Sequence, residues 1–148
     1  MAVWGLKLYF IHTVNLATVL YWAVQSIKKI NLVILILFYT IAGINHFHNP
    51  ESYYRIIPNY IPYPILVNIL AGCFELLFGI LLIFPKPRPY AAWGIILMLI
   101  AFLPVHISMI SNAPLLLGNL TVTPLIAWVR LIVLQPLLIL WAWWYTKK

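Results

Sequence analysis

The sequence predicts an all-α membrane protein: a four-helix transmembrane bundle with an additional N-terminal helix. Three observations carry that expectation: the scarcity of charge, the length of the apolar runs, and the basic or proline-rich punctuation between them. Hydrophobic residues make up 65% of the 148 and charged residues 7%. A soluble domain carries roughly 25% charged residues, so this composition cannot cover a water-facing surface. The length suits four or five spans of about 20 residues with short connections and leaves no room for a sizeable soluble domain.

The first clear apolar run is 31–47, preceded by Lys28 and Lys29. The second, 64–84, opens on Pro64 and is separated from the third, 90–110, by Pro85-Lys86-Pro87-Arg88-Pro89. Those prolines cannot continue a helix and force a turn. The fourth, 124–145, opens on Pro124, which suits a first helical turn, and is followed by Lys147 and Lys148. Each run crosses a hydrocarbon core of roughly 30 Å at about 1.5 Å per residue, the first with help from its flanks.

Charge then sets an orientation. Lys28, Lys29, Lys86, Arg88, Lys147 and Lys148 fall on one side; Glu51 and Arg55 cancel on the other. This positive-inside pattern puts the C-terminus in the cytoplasm, and a bacterial inner membrane is the expected location. Tyr53, Tyr54, Tyr60 and Tyr63 are expected at the outer interface, and Trp141, Trp143, Trp144 and Tyr145 at the inner one. Between the first two spans, Asn49-Pro50-Glu51 reads as a helix start with cap, first-turn proline and first-turn acid, and Pro58 as its end. Glu51 and Arg55, four apart, are placed to pair on it. This short helix is expected to lie over the mouth of the bundle.

Residues 1–27 stand apart from the domain expected at 28–148. Positions 8–27 are about as apolar as a span, interrupted by His12, Thr13, Asn15, Thr18 and Gln25. They read either as a fifth span, which the apolarity favours slightly, or as an amphipathic helix in the interface. No proline or glycine forces a hairpin between Gln25 and Asn31.

The net charge of +7 reflects the scarcity of acids, Glu51 and Glu75 being the only two. No clustered basic face exists, which argues against a nucleic-acid partner. Cys73 is the single cysteine, so neither a disulfide framework nor an internal dithiol cycle is available. It reads as a small core residue facing away from Glu75.

Polar side chains inside spans are costly and point to function. Glu75 lies near the middle of the second run, with Arg130 and His106 as its candidate partners. These three are the candidate catalytic groups. Asn45, His46, Asn68 and Gln135 reach similar depths from their own spans and are the candidate ligand-binding residues. Together they predict a polar pocket opening outward, floored by Glu75 and Gln135, with Pro104 freeing a backbone carbonyl near His106. The competing reading is a structural Glu75–Arg130 ion pair that locks two helices, with His46 and His48 as ordinary interfacial histidines. No metal is expected, because positions i and i+2 on a helix point to opposite sides. Gly43, Gly72, Gly79 and Gly94 read as sites of close helix approach.

Several blocks together resemble a known family: Ala42-Gly43-Ile44-Asn45-His46-Phe47 with Asn49-Pro50-Glu51, Gly72-Cys73-Phe74-Glu75-Leu76-Leu77-Phe78-Gly79, and Ala91-Ala92-Trp93-Gly94. Pro104, His106, Trp128-Val129-Arg130-Leu131, Gln135-Pro136-Leu137 and Trp141-Ala142 complete the pattern. Over roughly residues 29–145 the chain is similar to DoxX-type membrane proteins. That resemblance implies a four-helix bundle, redox association, and a membrane or extracytoplasmic redox partner. It does not imply an enzyme acting alone: the chain carries no haem, flavin or iron–sulfur motif. The expected function is therefore a redox-associated subunit holding a quinone-like ligand in the outer pocket. Glu75 and His106 would exchange protons with a quinone oxygen while Arg130 stabilises negative charge. The alternatives are a proton-coupled small-molecule carrier, with Glu75 as the protonatable site, and a non-catalytic assembly subunit; a homo-oligomer is among the expected partners.

Overall fold

The computed structural model describes residues 15–117 and 120–147. Residues 1–14 of the expected N-terminal helix, with Lys7, and the terminal Lys148 lie outside the described residues. Among the described residues, four helices are long and apolar enough to cross a membrane: Leu16–His48, Pro64–Leu81, Arg88–Asn112 and Pro124–Trp143. The chain is thus an all-α membrane protein, and its described residues supply the four spanning helices of the expected bundle.

Helix α1 is Leu16–His48. The N-terminal stretch is helical from Leu16 and passes through Lys28 and Lys29 into the first span without a break, because nothing in its sequence interrupts a helix. The chain divides into two compact units, residues 1–34 and 35–148. Within the first, Asn31 donates a side-chain hydrogen bond to the Ile27 carbonyl at 2.9 Å, and apolar side chains such as Leu20, Trp22 and Ile27 are exposed.

The second unit is the four-helix bundle. From Leu35 onward α1 buries Leu35, Tyr39, Gly43 and His46, one stripe at spacings of three and four. Helix α2, Pro50–Tyr54, is shorter than expected and ends before Pro58. Asn49 does not cap it: its amide instead donates to Asn45 Oδ1 at 2.7 Å. Glu51 and Arg55 are exposed and joined only through the backbone, Arg55 N–H to the Glu51 carbonyl at 3.3 Å. Both side chains keep their hydration there, and an exposed pair gains little by closing.

Helix α3, Pro64–Leu81, buries Asn68, Ala71, Gly72, Glu75 and Gly79 on one face. The opposite face is apolar and exposed, as lipid contact requires. Cys73 lies on that exposed side, so it is not a core residue. It is two positions from Glu75, and two helical positions are about 200° apart, which turns it out of the bundle. After the proline turn, α4 (Arg88–Ala101) and α5 (Leu103–Asn112) form one span broken at Phe102. Pro104, at the start of α5, cannot donate to the preceding turn, which accounts for the break.

The connection after α5 is not a plain loop. Strands β1 (Leu115–Leu117) and β2 (Leu120–Val122) pair antiparallel, Leu116 opposite Thr121. Val122 packs with Met109 and Ala127, and Ile56 and Leu115 close over them. Helix α6 (Pro124–Val129) is capped by Thr123, whose Oγ1 accepts from Ile126 N–H at 3.4 Å. A π-helical turn, Arg130–Leu134, leads into α7, Gln135–Trp143. Pro136 lacks the N–H that would continue the α-helical ladder, and Gln135 N–H reaches back five residues to the Arg130 carbonyl. At the C-terminal end Trp143 and Trp144 are exposed, as an interfacial belt predicts, whereas Tyr145 is buried.

Candidate functional site

The bundle encloses a cavity of about 360 Å³. One wall is α1 (Phe38, Tyr39, Ala42, His46), and α3 supplies Val67, Asn68, Ala71 and Glu75. Leu99, Ala101, Phe102, Val105, His106 and Met109 come from the broken α4–α5 span, and Arg130 and Leu138 from the last. Tyr53, Ile56, Ile57 and Ile61 from the connection after α1, with Leu117 of β1, close the top.

Helix α1 and helix α3 meet at glycine. A Cβ placed on Gly72 would lie 2.8 Å from His46 Cβ, and one on Gly43 would lie 3.0 Å from the Gly72 carbonyl oxygen. This close crossing brings His46 between Asn68 and Glu75. Asn68 holds it twice: its Oδ1 is 2.7 Å from His46 Nδ1, and its Nδ2 donates to the His46 carbonyl at 2.9 Å. With the amide nitrogen used on that carbonyl, Oδ1 accepts, so His46 carries its proton on Nδ1. His46 Nε2 then faces Glu75 Oε2 at 3.5 Å.

That geometry determines what the pair holds. A neutral His46 with its proton on Nδ1 presents a bare lone pair at Nε2, which repels a carboxylate. The approach becomes favourable when one more proton resides on Nε2 or on Glu75. In either arrangement the pair is neutral overall. Beyond that approach to His46, Glu75 Oε2 has no hydrogen-bond partner among the described residues.

Tyr53 stacks on the His46 ring, centroids 3.7 Å apart and planes at 24°. Asn45 donates to its hydroxyl at 2.7 Å, and Asn49 supports Asn45. Burial pushes the Tyr53 phenol above its ordinary pKa, opposed by the bond from Asn45, so it stays neutral. His106 is 6% exposed, and neither of its ring nitrogens has a hydrogen-bond partner. The Tyr39 hydroxyl, also buried, is unpartnered too. Arg130 is half-buried and forms no ion pair or hydrogen bond among the described residues.

Of the residues singled out from sequence, Glu75, His106, Arg130, His46 and Asn68 line this one cavity. Asn45 and Gln135 do not. Asn45 acts on Tyr53, and Gln135, 1% exposed, donates to the Leu99 carbonyl just before the break at Phe102. Glu75 contacts His46 rather than Arg130, because the Gly43–Gly72 crossing brings α1 closer to it than the last span. Two cavity residues, Tyr39 and Tyr53, escaped the sequence reading. Tyr39 was legible as four and seven residues from Gly43 and His46 on the buried stripe. Tyr53 was assigned to the interfacial belt, and its inward turn had no local signal. The π-helical turn at Arg130 was signalled by Pro136 six positions later.

Fold and site together define a polytopic helical membrane protein that encloses a polar-headed cavity. The chain belongs to the family described as Domain of unknown function (DUF8561), whose model matches residues 35–146, close to the bounds of the bundle. That match corrects the DoxX resemblance. The Gly72–Glu75–Gly79 spacing that suggested it arises on any span that buries a carboxylate on a close-packed face, since positions i, i+3 and i+7 share one side. No curated protein and no solved structure matches the chain.

Proposed function

We propose that this is a membrane-embedded binding protein whose cavity takes a small amphipathic molecule. The apolar body of that molecule would rest on the hydrocarbon walls, and its polar head would meet Glu75, His106 and Arg130. The observation that supports this most strongly is the convergence of buried polar atoms without a partner among the described residues (the Tyr39 hydroxyl and both His106 nitrogens) on the walls of one largely apolar cavity. Each unpaired group costs about 1–3 kcal/mol, so a ligand that pairs with them recovers a cost the empty fold carries. The volume falls at the small end of ligand sites, which run from about 300 to 1,000 Å³.

A quinone is one molecule of suitable shape, with carbonyl acceptors on a compact ring, and the binding reading requires no redox reaction. The cavity end would face outward and the C-terminus the cytoplasm, because Lys86, Arg88 and Lys147 lie at the opposite end while Glu51 and Arg55 cancel at the cavity end. A bacterial inner membrane fits that distribution.

The test is mass spectrometry of small molecules extracted from the purified protein, run beside Glu75→Gln. A molecule enriched over bulk lipid in the parent and depleted in the variant supports the reading. Bulk lipid alone in both samples, with the variant as stable as the parent, overturns it.

The shared proton of the Glu75–His46 pair favours a second reading, a proton-coupled carrier. Liposomes loaded with the protein would then accumulate the identified molecule under an imposed pH gradient, and Glu75→Gln would abolish the response to the gradient. Uptake indifferent to the gradient excludes this reading.

A further inference from the structure

We infer that the molecule held in this cavity is a monovalent anion with an apolar body, a monocarboxylate, seated with its head on Arg130. The inference rests on the binding reading above and names the class of ligand.

The argument is a charge count. Glu75 is the one carboxylate among the residues that line the cavity, and it is engaged with His46. Asn68 holds the His46 proton on Nδ1, so the Glu75–His46 contact keeps one further proton and is neutral in both of its forms. Arg130 then makes no ion pair or hydrogen bond among the described residues, and Glu75 acts on it only through space. A guanidinium stays protonated at any accessible pH. Within a membrane span it needs an anion close by, and no carboxylate among the described residues reaches its fork.

Geometry and chemistry narrow the class. The planar fork of a guanidinium matches a carboxylate through two parallel hydrogen bonds. His106, on the same cavity, has both nitrogens free and adds a third donor. One positive charge balances one negative charge, so a monoanion leaves the cavity neutral while a phosphate dianion leaves an excess. Apart from the Tyr39 hydroxyl, the remaining walls, including Phe38, Phe102 and Met109, are largely apolar, so the body is hydrocarbon or aromatic. A free organic acid and the carboxylate end of a lipid share this chemistry.

The experiment measures binding and thermal stabilisation of the purified full chain in neutral detergent. The probes are benzoate and octanoate, their uncharged amides, and phenyl phosphate. The carboxylates are expected to bind at least about tenfold tighter than amides of the same shape. Arg130→Gln removes that gap and Arg130→Lys keeps part of it. The comparison on the parent protein needs no variant, so a misfolded substitution does not decide the matter. Amides that bind as well as the acids overturn the inference, as does tighter binding of phenyl phosphate than of benzoate. Among copurifying molecules, a free acid or an acidic lipid supports it and identifies the source. A neutral amphiphile overturns it and leaves the binding reading standing. If no probe binds and nothing copurifies, both fall together.

Discussion

At the end of the bundle closed by the proline turn, Leu82, Ala91, Ala92, Ile95 and Ala142 are wholly buried. There Arg88 ties the turn by donating to the Leu82 and Ile83 carbonyls at 2.9 and 3.2 Å. At the opposite end, beneath α2 and the β-hairpin, His46, Asn68, Glu75, His106 and Arg130 stand among apolar side chains around a cavity. The first end is held by small side chains that let helices touch, which is how spans associate when lipid removes the hydrophobic difference between inside and outside. The second end is held by a few directional bonds at one crossing and leaves other polar atoms unpaired. One chain thus separates a packed half from a half that spends stability on unsatisfied groups, the pattern expected of a binding site in a scaffold.

The comparison is most easily broken at the packed end. Ala92→Leu adds bulk where no space exists, and a loss of about 3 kcal/mol is expected, read as a lowered denaturation midpoint in detergent. Phe102→Leu, beside the cavity, serves as the contrast and is expected to cost less. Equal losses mean that the two halves are packed alike. Next in size is Gly72→Ala, which drives a methyl group into His46 Cβ at 2.8 Å. The expected cost is about 2 kcal/mol, together with loss of any copurifying ligand, since Asn68 and Glu75 then lose register with His46. A variant that retains ligand dissociates the helix crossing from the site.

Asn68→Ala removes both bonds to His46, and about 1 kcal/mol of destabilisation is expected, interhelical hydrogen bonds within membranes being modest. The same unfolding titration reads it, and a neutral result shows that His46 finds another partner. The smallest expected effect is Tyr39→Phe. The hydroxyl has no partner, so its removal changes stability by about 0 to 0.5 kcal/mol in the favourable direction while weakening ligand retention. Destabilisation comparable to that of Asn68→Ala contradicts the assignment of this half as unsatisfied.

Much of this site was legible before any coordinates. Glu75, His106 and Arg130 stand out because ionisable residues inside apolar runs are rare and costly, and their depths follow from counting residues from the span ends. Partners did not follow from depth. Whether Glu75 meets His46 or Arg130 depends on which helices adjoin and how closely, and the Gly43–Gly72 contact decides that. The inward turn of Tyr53, the outward turn of Cys73 and the diversion of Asn49 from cap to Asn45 are of the same kind. Each is a choice among neighbours that the local sequence leaves open. The DoxX resemblance failed for a related reason, since the short motifs that carried it record helix packing shared by unrelated spans.

What the sequence determined by itself is the class of protein, its four clear apolar runs with the approximate bounds of the last three, and the residues that need a polar environment. Hydropathy, proline and charge act over a few residues at a time, and the bilayer forces backbone bonds to close within each segment. Tertiary structure alone decided which of those polar residues share a cavity, that His46 rather than Arg130 answers Glu75, and that a β-hairpin helps to close the top. Those outcomes depend on contacts between residues far apart in the chain, and no local pattern encodes the distance between two helices.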